Sequence, residues 1–519
     1  MTLEKNIEMT KQKTWFLEVA QKIIKQNPNK NNYNIATWIT PSGFIHMWNL
    51  RELLTWFFVQ KWLETFDKKT KLYFFVDDFD PLRKIYPFLD ETYQQYIGNS
   101  ISSIPAPFED KDLSYADYFI KDFKIAIKRL WIDVTFIKAS ELYLKWKYNT
   151  TIKNALIQRK QIIELLSKTW MNLNNSWYPI LVKCDKCQSL NTTTIHSIDL
   201  LKKQVEYSCK CGNKWKKTFE NWEAKLKWRV EWPYRQKMFD IDIEPFGKDH
   251  ATKWWSFDSG KYIHQHIFND KIPYPIIYQW IKLSGKWDMS SSKWITISAK
   301  ELTKILPPEV IKYYFAKYKP NQWISFSIEN DINKLLKEYQ KIEKQVFEEK
   351  TKNQLIEILW IKDKKYREIN FEYLAIIINI YWKEDIKLIK EKLWIINIDN
   401  NFLKDIINYS SYWSKKYFSN KKKINLISNK ERKNIYFNEE EIRILINLEK
   451  ELISIEWDIE NIKEIFFRLK ESLQLENTKQ IYQTLYKFLF NKTYWPNLSH
   501  YLYFLEKDKF INFIKQNFN

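Results

Sequence analysis

Apolar positions along this chain change their period twice. In the N-terminal part, short apolar runs at Ile35 to Thr40 and Lys71 to Val76 alternate with stretches spaced at three and four, from Trp15 to Ile24 and from His46 to Trp62. The short runs predict buried strands and the spaced stretches predict helices. Strand alternating with helix predicts a parallel sheet, whose ligands bind at the carboxyl ends of its strands. The first strand stops at Pro41-Ser42-Gly43 and the second at Asp77-Asp78-Phe79-Asp80, both turn-forming sequences. Residues 114 to 170 read as helices around a short strand, Asp133 to Ile137. Beyond about residue 325 there is no Gly, and Pro496 alone follows Pro320. Apolar residues there keep helical spacing over 329–358, 371–389, 438–454, 460–474 and 476–490, with a basic polar loop at Asn420 to Lys423. The expected organisation is an α/β part over 1–325, interrupted by an insertion at 175–220, and an all-α C-terminal domain over 326–519.

The insertion carries its own chemistry. Cys184-x-x-Cys187 and Cys209-x-Cys211 are the four cysteines of the chain. Two pairs of thiolates on two turns are the ligand set of tetrahedral zinc, and their confinement to one segment argues against a secreted disulfide framework. With hairpin strands expected at Thr192 to His196 and Gln204 to Ser208, the segment reads as a zinc-ribbon-like unit whose zinc is structural. The plainer alternative is four reduced thiols.

Charge adds a partner. Lys+Arg number 84 against Asp+Glu 63, a net +21 spread along the chain, which suits a polyanion because each phosphate contact releases counterions. An AT-rich gene, which inflates Lys, Asn and Ile, accounts for part of the excess. No charged-then-apolar leader opens the chain, and no apolar run reaches the roughly 18 residues of a membrane span. A cytoplasmic protein with no membrane partner is expected, with a monomer as the default oligomeric state.

The stretch TPSGFIHMWNLRE, Thr40 to Glu52, is a predicted strand end, a tight turn and a helix start. Such a turn aims free N–H groups and the positive helix end at a ligand, which suits phosphate, and His46 stands where it could donate to one. A structural histidine is the simpler reading of His46 taken alone. Far downstream, Asp288 to Lys293 forms a hydroxyl-rich loop ending in a cation. PSGFIHMWN, WRVEWPYR (Trp228 to Arg235), EPFGKDH (Glu244 to His250) and DMSSSKW (Asp288 to Trp294) resemble, in that order, the pattern of class I lysyl-tRNA synthetases. The closing run Leu489 to Leu502 fits the same pattern, and VDDFDPLRK looks like a family motif, although its acidic trio also reads as a strand-end turn.

The resemblance implies a Rossmann-like nucleotide-binding catalytic domain. It implies ATP held by Pro41, Ser42, Gly43, His46, Trp48, Met289, Ser290, Ser291, Ser292 and Lys293, with His46, Asn49 and Lys293 catalytic and Mg2+ required. It implies L-lysine held by Thr40, Trp228, Asp249, His250 and Tyr278, and tRNA(Lys) as partner, its anticodon read by the helical domain. Asp288 and Ser291 take the places of the two lysines of the general class I loop, leaving Lys286 and Lys293 as nearby cations. Pro307-Pro308-Glu309 resembles the family's link toward the next domain, with a helix expected over Val310 to Ala316. The rivals are another class I ligase, for glutamate or cysteine, and an inactive tRNA-binding paralogue.

The glycine count is anomalous. The chain has 6 Gly and 25 Trp, whereas Gly at about 7% of residues would number roughly 36. Trp stands where the resembled pattern has Gly, at Trp38, Trp48, Trp254, Trp255, Trp287 and Trp294, while Trp228 and Trp232 match tryptophans of that pattern. An indole at position 48 would fill the space of the ATP adenine. The expectation is that the gene uses UGA for glycine; the alternative is a Trp-rich paralogue without activity.

Overall fold

The structure, a computed structural model, describes residues 14–110, 112–283, 297–328, 330–349, 365–381, 385–417, 427, 429–432, 434–492 and 498–518. These form two compact units that part between Ser327 and Ile328. The expected loop Asp288 to Lys293, the basic loop Asn420 to Lys423 and Trp495 lie outside the described residues.

The first unit contains strands β1 (Asn32–Ile39), β2 (Lys69–Val76), β3 (Thr135–Lys138), β4 (Ile180–Val182), β5 (Thr193–Asp199), β6 (Gln204–Cys209), β7 (Lys214–Thr218), β8 (Ala224–Leu226), β9 (Ile243–Gly247), β10 (Tyr274–Tyr278), β11 (Ile281–Leu283) and β12 (Ile324–Phe326). Five of them make one parallel sheet in the order β10-β9-β1-β2-β3. The chain winds outward from β1 through β2 to β3, then returns to lay β9 and β10 on the other side. The strand order therefore switches between β1 and β9, the place where sheets of this kind open a crevice.

The pairing itself opens that crevice. β1 and β2 run together from Asn32↔Lys69 through Ile39↔Val76, but β1 and β9 register only at Ile35↔Ile243. Below that point the two are clamped, since the Asp242 carboxylate accepts from the Asn34 N–H at 2.9 Å and from Lys30 Nζ at 2.5 Å. Above it they diverge.

The helix Met47–Thr65 follows β1 and is apolar nearly all round, with Leu50, Leu53, Leu54, Phe58 and Val59 fully buried, as a helix enclosed by its neighbours requires. Helix Trp15–Gln26 packs on it through Trp15 and Phe16 against Phe58. Its position is thereby fixed relative to the sheet.

β5, β6 and β7 form a separate antiparallel sheet, with β4 and β8 paired beneath it. β7 was not expected from sequence, because Lys214-Trp215-Lys216-Lys217 carries almost no apolar alternation; its register with β6, Tyr207↔Trp215 among others, holds it.

In the second unit the described residues from Asp331 onward form helices, turns and a short 3-10 segment, Tyr366–Glu368, with no strand. Three sequence expectations need adjusting there. The run 371–389 is two helices, Phe371–Tyr381 and Ile386–Leu393, the second opened by Asp385 accepting from the N–H groups of Lys387 and Leu388. The helix in 329–358 is described over Asp331–Phe347. A further helix, Asn400–Tyr417, was not anticipated, because Ser410, Ser411 and Ser414 share its buried face with Leu403, Ile406 and Trp413 and blunt the apolar pattern. No helix of the described residues is long and apolar enough to cross a membrane.

Candidate active site

At the carboxyl end of β1 the chain turns through Pro41-Ser42-Gly43, pinned by the Tyr115 hydroxyl donating to the Ser42 carbonyl at 2.7 Å. Gly43 packs closely under Phe88, whose ring a Cβ there would meet at 3.2 Å. His46 then takes the N-cap of helix Met47–Thr65, where its backbone N–H donates to Asn49 Oδ1 at 3.3 Å. Its side chain is only 5% exposed, and neither ring nitrogen has a hydrogen-bond partner among the described residues. Burial lowers its pKa to about 4, so the imidazole is neutral and carries one unmet N–H donor at the positive end of a helix. That is a group prepared for an anionic ligand oxygen.

The segment containing 288–293 rejoins the described chain beside this histidine. The Met47 N–H donates to the Ile297 carbonyl at 3.1 Å, and the Ala299 N–H to the Ile45 carbonyl at 3.0 Å. Met289 to Lys293 themselves lie outside the described residues.

The acidic trio after β2 fastens the sheet end. Asp77 pairs with Arg235, Asp78 accepts from the Ser140 N–H at 2.8 Å and hydroxyl at 2.6 Å, and Asp80 accepts from Thr40 Oγ1 at 2.9 Å while meeting Lys225 Nζ at 3.2 Å. Lys225 in turn pairs with the buried Glu231. These carboxylates are taken up by protein cations and donors, which favours the turn reading over a metal site. Thr40 is thus held by Asp80.

A cluster of aromatic rings connects Trp38 of β1 with Phe246 of β9 and with His250. Trp228 and Trp232 stack at 5.3 Å and 10° from the helix Trp228–Met238. The Trp232 Nε1–H donates to Glu244 Oε1 at 2.9 Å. His250, at the turn after β9, presents its edge to both rings, with Nδ1 3.1 Å from Ser256 Oγ. Burial lowers its pKa, so it too is neutral. Asp249 is about half exposed at 47% and lies 3.5 Å from His250 Nε2. Trp38 leans into the same space, 4.3 Å from Trp228 and 5.2 Å from His250. Trp48 lies within ring-contact distance of His46 at 6.0 Å and of Trp280 at 6.3 Å.

Sequence reading missed the residue at the centre. Glu52, in the second turn of helix Met47–Thr65, is buried and accepts from the Thr37 and Tyr278 hydroxyls and the Trp38 N–H. Burial drives its pKa up to about 7, these donors oppose that, and the nearby Glu244 adds to it. No Lys or Arg of the described residues pairs with it. Its neighbour Arg51, 3% exposed, donates to the carbonyls of Gln279, Lys319, Pro320 and Gln322 at 2.5 to 3.1 Å. The signal was available: two ionisable residues side by side in the apolar first half of the helix, directly after the turn.

Away from this cleft, the sulfurs of Cys184, Cys187, Cys209 and Cys211 lie within 4.8 Å of one another, with Cys184–Cys211 and Cys187–Cys209 at 3.6 Å. Four sulfurs at 2.3 Å from a tetrahedral zinc stand about 3.8 Å apart, so the cluster has the size of that site. The Asn213 amide reaches Cys184 Sγ at 3.6 Å.

Comparison with known proteins agrees with this geometry. The family pattern described as tRNA synthetases class I (K) matches residues 13–363. The Lysine--tRNA ligase of Methanococcus maripaludis is 33% identical over 95% of this chain and 98% of its own length. That of Methanocaldococcus jannaschii is 33% identical over the same shares, and that of Picrophilus torridus 32% identical over 92% and 95%. Among solved structures, the glutamate tRNA ligase of Elizabethkingia meningosepticum aligns over 94% of this chain and 99% of its own, at 11% identity and a TM-score of 0.46. The sequence relatives, and not that looser likeness, decide the assignment. With a parallel sheet switching order between β1 and β9, the matching pattern over most of its first unit and relatives alike along nearly its whole length, this chain belongs to the class I tRNA synthetases (K).

Proposed function

We propose that the chain is a lysine-tRNA ligase that activates L-lysine with ATP and transfers it to tRNA(Lys). The observation that carries the amino-acid choice is Glu52. A buried carboxylate at the switch point, with no Lys or Arg of the described residues paired to it, has an energetic deficit that a ligand cation removes, and the ε-ammonium of lysine is such a cation. Trp228 and His250 supply aromatic and polar walls for the aliphatic stem, and a glutamate side chain would meet Glu52 with like charge.

In this reading a lysine carboxylate oxygen attacks the α-phosphate of ATP in line, the new O–P bond forming as the phosphorus–oxygen bond to pyrophosphate breaks. The lysyl-adenylate then yields its acyl group to a hydroxyl of the terminal adenosine of tRNA, releasing AMP. No covalent enzyme intermediate is required. His46 donates to the phosphate as charge develops on its oxygens, Asn49 fixes the histidine backbone, and Pro41 to Gly43 present the turn on which the nucleotide rests. Mg2+, when bound, neutralises phosphate charge. Thr40 and Asp249 border the amino-acid end. Lys293 and the hydroxyls of Ser290 to Ser292, with Met289, complete the nucleotide site.

The four cysteines would hold a structural zinc that ties β6 to the turn at Cys184. The residues fit it: four thiols, the right separation, and no further open position for chemistry. The helical unit is proposed to bind the anticodon arm, consistent with the chain's basic balance. The test is pyrophosphate exchange into ATP, expected with lysine and far weaker with glutamate, arginine or cysteine. Equal exchange with another amino acid overturns the lysine assignment. Trp38 and Trp48 in the cleft favour the inactive paralogue if those side chains are what the cell makes.

A further inference from the structure

Five tryptophans occupy left-handed backbone: Trp131 at φ 52°, Trp146 at 63°, Trp170 at 59°, Trp254 at 67° and Trp394 at 58°. The described glycines supply only two such positions, Gly98 and Gly212. Every other non-glycine residue in this region, among those described, is Asp, Asn, Gln, Lys or Glu. Left-handed backbone crowds a Cβ against the following carbonyl, and a bulky side chain there is an outlier. Tryptophan is the one bulky residue type found there, and it is found five times.

Three of the five stand at one position of one motif. After helix Tyr115–Arg129, the Trp131 N–H donates to Lys128 at 3.1 Å and the Ile132 N–H to Ile127 at 3.4 Å. After helix Ala139–Leu144, Trp146 donates to Tyr143 at 3.1 Å and Lys147 to Leu142 at 3.0 Å. After helix Ile386–Leu393, Trp394 donates to Glu391 at 3.3 Å and Ile395 to Lys390 at 3.0 Å. Each is a Schellman termination, in which the left-handed residue is usually glycine. Their rings stand mostly in water, at 58%, 67% and 77% exposed, with Trp170 at 80%. Trp15, Trp232 and Trp413 differ in burial and backbone: they are 8%, 2% and 0% exposed, and none is left-handed. Their indole N–H groups donate at 2.9 to 3.1 Å to Ala316, Glu244 and Ile328, while that of the exposed Trp394 reaches only the Tyr503 hydroxyl, at 2.9 Å. Among the described residues, five tryptophans thus have the backbone conformation that favours glycine.

We propose that the working protein carries glycine at positions 131, 146, 170, 254 and 394, through a UGA codon that its source cell decodes as glycine. The same decoding then applies at 38 and 48, where its effect rests on the ligase reading. Without the Trp38 indole, the space between β1 and the wall of Trp228 and His250 is free for an amino acid. Without the Trp48 indole, the first turn of helix Met47–Thr65 is bare beside His46, and a nucleotide base can lie on it.

The test is the gene together with the protein isolated from its source cells. UGA codons and peptide masses giving glycine at 131, 146, 170, 254 and 394, with UGG and tryptophan at 15, 232 and 413, are expected; UGG or tryptophan at the five overturns the proposal. A second measurement uses the full-length recombinant chain. Glycine at 131, 146, 170 and 394 together should raise Tm, whereas Trp413→Gly should lower it; a fall in both overturns the proposal. Lysine-dependent exchange is then compared with tryptophan and with glycine at 38 and 48. If the peptides give glycine and the glycine protein still shows no exchange, the decoding stands and the ligase reading falls.

Discussion

The Tyr278 hydroxyl, on the last residue of β10, donates to the Glu52 carboxylate of the helix that follows β1, reaching across the intervening β9 to do so. Thr37 of β1 donates to the same carboxylate. One side chain therefore joins both sides of the switch point.

That position makes lysine binding pH-dependent. The Glu52 pKa is raised from 4.5 to about 7, so between those values the folded chain keeps a proton that the unfolded chain has released. Stability from this group is therefore lost as pH rises from about 4.5 to 7, by on the order of 3 kcal/mol. An ammonium at Glu52 favours the ionised form, so lysine should bind with proton release near pH 6 and more tightly as pH rises toward 8. Calorimetry in buffers of different ionisation heat, on protein with glycine at 38 and 48, reads this directly. Glu52→Gln should abolish the release and weaken lysine about 100-fold or more, the scale of a buried charge pair losing one partner; unchanged affinity would remove Glu52 from the site.

His46→Ala, in the same background, should slow adenylate formation by about 100-fold to 1000-fold, the usual effect of losing one donor to developing charge. ATP affinity should change little. Single-turnover activation checks it, and full activity in the variant refutes the role.

Removing zinc with a chelator, or replacing Cys184 and Cys209 by Ser, should raise hydrogen exchange across residues 180–215 while β1, β2 and β9 stay protected. Unaltered exchange in that segment, with no zinc found by elemental analysis, counts against a metal.

Arg51→Met should take away the buried guanidinium that gathers the carbonyls of Gln279, Lys319, Pro320 and Gln322, and lower stability by about 1 to 3 kcal/mol. Arg51→Lys should recover little, because an ammonium cannot spread over two loops as the guanidinium fork does. Denaturant unfolding of the three proteins distinguishes this from a merely electrostatic role, in which Lys would restore the loss.

What could be read from sequence was what has local cause. The strand, turn and helix start around Thr40 to His46 each carry their own signal in an apolar run, Pro-Ser-Gly and a renewed apolar spacing, and the structure has β1, the turn and the helix there. The four cysteines were visible as two pairs, and their sulfurs do converge. Glu52 was passed over because its meaning depends on Tyr278, 226 residues away. Helix Asn400–Tyr417 was missed for a different reason: serines buried against its neighbours look polar in sequence and behave as small fillers in the packing. The left-handed tryptophans show the converse, a local rule broken so consistently that the letters themselves come into question.

The early parting of β1 from β9 has an evolutionary consequence. Past Ile35↔Ile243 the backbone of β1 lacks a ladder partner on that side, and the Thr37 hydroxyl and Trp38 N–H are met by the Glu52 carboxylate instead. The side chain proposed to select the ligand's charge is thus also a surrogate for missing strand pairing. A lineage drifting toward a different amino acid could not simply exchange it; it would have to re-pair the sheet in the same step, which ties substrate choice in this fold to the integrity of its centre.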